Sequence, residues 1–220
     1  MERILNGIRQ FRRDVYPSKK DLFEQLAGGQ SPQALFITCA DSRIVPDLLT
    51  QTEPGDLFIC RNAGNFVPPY SEISEGVSAT IEYAVSALKV SDIIVCGHTD
   101  CGAMKGIMKP ELLSEMPSVK KWLCHGDIAR AVVKENYSKL PHEEQLRVVT
   151  QENVIAQLSQ LNTYPCIAAR LAKGAIQLHG WVYNIGSGEV TAWDEPSGRF
   201  VPIEEYKPVR VASRLQAMAV

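Results

Sequence analysis

Several things are missing from this sequence, and each absence narrows the field. No apolar run reaches the roughly 18 residues that a membrane span needs, so no membrane role is expected. Neither sign of charge dominates. Lys+Arg total 23 against 25 Asp+Glu, for a net charge of −2, a poor footprint for a nucleic-acid binder. There is no G-x-x-x-x-G-K-[ST] loop and no G-x-G-x-x-G after a strand, so phosphate-cradling loops lack support. A thioredoxin-type C-x-x-C pair is also absent. The first twenty residues lack the continuous apolar stretch of a secretory signal, and Glu2 and Asp14 speak against a transit peptide. The expected location is the cytoplasm. Six cysteines at irregular spacing in such a compartment do not read as a disulfide framework.

What is present is the composition of an ordinary globular protein, 45% hydrophobic and 22% charged over 220 residues. A chain of that length buries about 70% of its surface on folding and needs no staples. Apolar residues at Ile4, Leu5, Ile8, Phe11 and Val15 recur at helical spacing, with Pro17 expected to end that helix. Ser18 is then a candidate N-cap for a second helix over Leu22, Phe23 and Leu26, stopped by Gly28 and Gly29. Such a pair reads as an N-terminal helical arm, 1–29, that wraps its own domain or packs on a neighbour. The remainder, 30–220, reads as one α/β domain. ALFITC (34–39), DLFIC (56–60), DIIVC (92–96) and AIQLHGWVYN (175–184) are strand-like runs. Helical patterns fall at 75–89, 117–134, 143–161 and just after Pro165. Buried strands alternating with helices imply a central, mainly parallel sheet flanked by helices.

Two segments carry the chemistry. Cys39-Ala-Asp41-Ser42-Arg43 follows the first strand, and Gly97-His98-Thr-Asp-Cys101-Gly102 follows the third. In a parallel sheet the carboxyl ends of strands share one edge, where ligands bind, so the two segments can meet there. Two cysteines and one histidine form a sensible zinc set that leaves a fourth position open. Asp41 can either complete the tetrahedron or accept a hydrogen bond from water, and Arg43 can hold it off the metal. The other cysteines, Cys60, Cys96, Cys124 and Cys166, read as small buried hydrophobes. His125 and His142 read as exposed, and His179 as a buried, hydrogen-bonded strand residue.

These paired motifs closely resemble the signature of the β-class carbonic anhydrases. The resemblance continues through PGDLF (54–58), RNAGN (61–65), EYAV (82–85) and HGWVY (179–183) and covers nearly the whole chain. It points to the plant-type branch and is similar to the bacterial enzymes associated with cyanate metabolism. It implies one Zn2+ per subunit on Cys39, His98 and Cys101, with Asp41 and Arg43 as the catalytic dyad. Gln30 matches the donor that orients substrate or product. Phe58, Ala63, Tyr83 and Gly102 match pocket positions, Ala63 standing where that branch often has Val. Phe36 and Thr38 replace the Trp and Gly of the bicarbonate inhibitory site known in the other branch, whereas Arg61 and Tyr183 match its remaining members. The resemblance also implies active sites at a dimer boundary, within a homodimer, tetramer or octamer.

The implied reaction is reversible hydration of carbon dioxide to bicarbonate and a proton. Two thiolates offset the cation's charge, so activity is expected to rise toward alkaline pH. Two other readings stay open from the residues alone. One is a hydrolase of carbon disulfide or carbonyl sulfide. The other is a structural zinc with Asp41 as its permanent fourth ligand.

Overall fold

The computed structural model describes residues 1–72 and 75–208, with Glu75 described in its backbone alone. The weakly patterned tail after Pro208 lies outside the described residues. The chain divides into two compact units, Met1–Ser31 and Pro32–Val220.

The first unit holds helices α1 (Glu2–Gln10), α2 (Tyr16–Ser18) and α3 (Lys20–Leu26), with a π-helical turn at Phe11–Val15 between the first two. Pro17 does not end the first helix. Through the wider turn the Tyr16 N–H reaches the Phe11 carbonyl, five residues back, and Pro17 falls in the short helix that follows. In a first helical turn an N–H has no intrahelical acceptor, so a proline is tolerated there. Nor does Ser18 cap the next helix. Its hydroxyl donates backward to the Val15 carbonyl at 2.7 Å, and α3 starts without a side-chain cap. Phe11, Tyr16 and Phe23 form a ring cluster inside this unit. Ile4, Leu5 and Ile8 of α1 remain exposed.

The second unit is built on a six-stranded sheet of order β2-β1-β3-β4-β5-β6. The strands are β1 (Ala34–Cys39), β2 (Leu57–Asn62), β3 (Asp92–His98), β4 (Gln177–Tyr183), β5 (Val190–Asp194) and β6 (Arg199–Pro202). The first four run parallel, and β5 and β6 add antiparallel to the β4 edge. Every residue of β1 is buried, which is why it reads as an unbroken apolar run rather than an alternating one. Helices α5 (Glu75–Glu82), α9 (His142–Leu161) and α10 (Pro165–Ala172) help cover the sheet. The other helices of this unit are α4 (Pro46–Thr50), α6 (Gly102–Met108), α7 (Pro117–Trp122) and α8 (Asp127–Asn136). The pattern over 117–134 is therefore two helices, separated by a 3-10 turn at Leu123–Gly126. At Gly126 a β-carbon would stand 3.0 Å from Ile107 and 3.1 Å from the Phe66 ring. A side chain there would require Ile107 and Phe66 to give by a few tenths of an ångström.

Two strand glycines let α9 lie directly on the sheet. A β-carbon at Gly180 would stand 2.7 Å from Val154 and 2.8 Å from Leu158, and one at Gly97 would stand 3.0 Å from Val154. Gly97 precedes His98, so this close seat also fixes the end of β3. Gly180→Leu is expected to lower unfolding free energy by about 3 kcal/mol, since overpacking a filled core costs about 1–3 kcal/mol. Urea denaturation checks it, and an unchanged midpoint would show that α9 can lift off without cost.

Candidate metal centre

β1 and β3 are neighbours, but the chain leaves β1 toward β2 on one side and β3 toward β4 on the other. The carboxyl ends of β1 and β3 therefore flank a topological switch point, where a parallel sheet opens a crevice. Cys39 is the last residue of β1 and His98 the last of β3, while Cys101 lies just before α6. Their ligand atoms all lie within 4.8 Å of one another, and all three residues are buried. The two sulfurs are 3.9 Å apart.

The donor chemistry fits a cation. The Thr99 carbonyl can only accept, so His98 Nδ1 carries the proton and donates at 2.9 Å. That leaves Nε2 with its lone pair, buried and without a hydrogen-bond partner. A buried lone pair with nothing to bind is costly, and a cation resolves it. The Cys39 sulfur accepts the Gly64 N–H at 3.4 Å. Gly64 holds a φ of +87°, and a β-carbon there would stand 2.6 Å from the Phe66 ring. Its carbonyl accepts from Asn153 on α9 at 3.1 Å, and Gln157 ties the same loop through the Val67 N–H at 2.7 Å. The long helix thus orients a backbone donor onto a ligand sulfur.

Without a cation the two thiols share a proton. The hydrogen bond from Cys101 pulls the Cys39 pKa well down, whereas the adjoining Cys39 sulfur and burial push Cys101 well up. By contrast, burial pushes Cys60 up to about 11 and Cys96 up to about 12, so neither presents a thiolate. Across neutral pH, then, loading a cation is expected to expel the proton the pair holds. Affinity should rise about tenfold per pH unit from about pH 7 to 8.5 and fall by the same factor as pH drops. Competition with a chelator measures the slope; a slope of two would mean both thiols are protonated in the free site.

Asp41 stands beside the ligands, its Oδ2 lying 3.9 Å from His98 Nε2. Arg43 holds it through three contacts: its backbone N–H and Nε donate to Oδ1 at 2.9 and 3.0 Å, and Nη2 donates to Oδ2 at 2.8 Å. These bonds hold the Asp41 carboxyl well below the usual carboxylate range. Arg61 donates to the carbonyls of Cys39 and Asp41 at 3.2 and 2.7 Å, fixing the backbone between them.

The remaining candidate residues are more dispersed. Phe58 and Tyr83 pair at a ring-centroid distance of 5.9 Å. Phe58 sits opposite Leu35, four positions back from Cys39, so roughly 13 Å of strand separates it from the ligand end. Tyr83, Ala63 and Gly102 are exposed, and the Ala63 carbonyl accepts from Trp122 Nε1 at 2.8 Å. Gln30 is exposed in the irregular stretch that closes the first unit. His179 is buried between Asp92, at 2.8 Å, and the Tyr206 hydroxyl, at 3.0 Å. His125 departs from expectation, being largely covered and set against the rings of Trp122 and Phe66. Cys124 departs the other way, exposed on the 3-10 turn, and Cys166 is half-buried. Sequence reasoning also passed over Asp100, Lys105 and Gly64. Asp100 and Gly64 lie within the quoted motifs and Lys105 just beyond one, but their partners depend on the fold.

A buried Cys-His-Cys group beside an Arg-held carboxylate, at the switch point of a parallel sheet, defines a metal-dependent α/β enzyme. The carbonic anhydrase family model matches residues 34–190. The carbonic anhydrase of Pseudomonas aeruginosa is 48% identical over 220 residues, covering all of both chains. Carbonic anhydrase 1 of Escherichia coli O157:H7 is 50% identical over 204 residues, covering 92% of each. The solved β-carbonic anhydrase CcaA superposes with a TM-score of 0.92 at 46% identity, covering 98% of this chain and 96% of that one. This chain belongs to the β-class carbonic anhydrases, lyases that hydrate carbon dioxide reversibly to bicarbonate.

Proposed function

We propose that the cation is Zn2+, one per subunit, held by Cys39, His98 and Cys101, and that Asp41 and Arg43 form the catalytic dyad. The single observation that carries this reading is the buried, unpartnered His98 Nε2 facing two sulfurs. Thiolate and imidazole suit zinc, and three protein ligands leave a position for chemistry. When bound, the cation makes a water acidic enough to serve as a nucleophile near neutral pH.

The chain's own groups do the rest. Asp41 Oδ2 accepts one bond from Arg43 and keeps acceptor capacity on the side nearest His98. Its low pKa makes it a poor base, so it orients the nucleophile rather than taking its proton. Arg43 keeps that carboxylate paired and aimed. Gln30 supplies an amide donor for an oxygen of the substrate or product, and Ala63 and Gly102 serve as pocket positions. Phe58 lies too far along β2 to line its own chain's cation, and Tyr83, on the helical segment after α5, packs against Phe58. They serve a site across a subunit boundary, in a homodimer or a larger assembly, with the arm 1–29 packing on the partner. Among solved relatives, two β-carbonic anhydrases of Sordaria macrospora are described as tetrameric; the match has a TM-score of 0.79 at 30% identity and covers 87% of this chain and 95% of that one. The domain proper is 30–220. Six free cysteines suit the cytoplasm, and no helix among the described residues is long and apolar enough to cross a membrane.

Elemental analysis of the purified protein tests the cation. About one zinc per chain is expected, with activity lost to a chelator and restored by zinc alone. Full activity in metal-free protein would overturn the assignment.

A further inference from the structure

Arg43 grips two carboxylates, not one. Beyond its contacts to Asp41, its Nη1 donates to Asp100 Oδ2 at 2.9 Å and its Nη2 to the Asp100 carbonyl at 3.3 Å. The other Asp100 oxygen is paired with Lys105 Nζ, on α6. Asp100 holds a φ of 58°, uncommon outside glycine, and from there both its carbonyl and its carboxylate face one guanidinium. It lies between His98 and Cys101, so the clamp joins the segment bearing two ligands to the segment bearing Cys39 and Asp41.

We propose that Asp100, braced by Lys105, is a positioning residue that holds Arg43 on Asp41 and so keeps Asp41 off the cation's fourth position. The proposal rests on the metal reading above. Two thiolates, an imidazole and a carboxylate would make a complete, closed tetrahedral set. Asp41 Oδ2 is already 3.9 Å from one ligand atom. What opposes closure is the pull of Arg43, whose side chain is 43% exposed and free to swing unless anchored from its other side. Asp100 supplies that anchor. The chain thus has two competing partners for one carboxylate, and a second ion pair biases the choice.

The test is azide binding to the Co2+-substituted full chain, read from the visible cobalt bands at fixed pH. Azide needs the fourth position, so a competing Asp41 weakens it. Asp100→Ala is expected to raise the azide Kd about two- to fivefold, the scale of a half-exposed ion pair, and to lower kcat by a similar factor at unchanged KM. Asp100→Asn keeps an oxygen for Arg43 and should stay within about twofold of the parent. In an Asp41→Asn background, Asp100→Ala should leave the azide Kd unchanged, because no carboxylate remains to compete. Should Asp100→Ala misfold, Lys105→Met gives the same direction with a smaller shift. Tighter azide binding in Asp100→Ala would show that Asp100 acts only as a repelling charge and would overturn the proposal. Equal weakening in both backgrounds would overturn it too, placing the effect in the loop rather than in Asp41. If the parent chain takes up cobalt and azide normally while the variants do not differ, the proposal fails and the metal assignment stands. Absence of cobalt bands in the parent overturns both.

Discussion

Asp41→Asn is expected to keep its metal and lose its turnover. The three ligand atoms do not include Asp41, so one cation per chain should remain. What changes is the acceptor. An amide oxygen still receives Arg43, but the charge is gone, and the amide nitrogen can turn a donor toward the position where an acceptor is needed. Misaiming a nucleophile by about 1 Å costs on the order of 10²-fold, and kcat should fall by about that much. The Arg43 bonds hold the Asp41 carboxyl ionised below the ordinary carboxylate range, so any fall in the parent enzyme's rate in mild acid does not come from neutralising Asp41. The sign follows from linkage. A carboxylate with a depressed folded pKa keeps its contribution above its unfolded value and loses it only as pH falls through the folded one. Stopped-flow rates beside metal analysis separate the two effects. Full activity in the variant would remove Asp41 from the reaction.

Cys39→Ser should do the opposite and empty the site. A serine hydroxyl does not ionise near neutral pH and is a poor ligand for a cation that two thiolates were holding. Metal content should fall from one per chain toward zero, with hydration at the rate of buffer. Cys60→Ala is the matched control. Cys60 lies on the adjacent strand and is equally buried, but its thiol is pushed up to about 11 by burial and no ligand atom faces it. That variant should keep metal and rate and lose only about 1 kcal/mol of stability, as small core truncations do. Unchanged metal in Cys39→Ser would displace Cys39 from the ligand set.

Much of this was legible in the residues, for physical reasons. ALFITC (34–39) matches β1 end to end because a strand buried on both faces must be apolar throughout. The meeting of Cys39, His98 and Cys101 was legible because parallel strands present their carboxyl ends together. Other features depend on contacts that no local pattern encodes. β5 and β6 are five and four residues long at one end of the sheet and half-exposed, so no apolar run marks them. α4 is five residues long, too short to show a period. The break at Leu123–Gly126 sits where Gly126 meets Phe66 and Ile107, residues distant in sequence. The same turn explains two misplaced side chains: it brings His125 to 4.9 Å from the Trp122 ring centroid and leaves Cys124 exposed. Pro17 escapes its usual role because it falls in the first turn of the short helix that follows the wider turn, where a missing N–H is tolerated. Asp100 was in plain view inside the second motif, but its left-handed backbone and its grip on Arg43 appear only once the two loops are side by side.

Stopped-flow carbon dioxide hydration by the zinc-loaded protein, at about pH 8.5, bears most directly on the site as a whole. Two thiolates would moderate the cation, so the pKa of water on it would lie above the roughly 7 of a histidine-only site, and alkaline pH would favour turnover. Rapid hydration that weakens as pH falls is the expected result. No rate above buffer, with one zinc bound per chain, would contradict an open site built from Cys39, His98 and Cys101 with Asp41 held aside by Arg43.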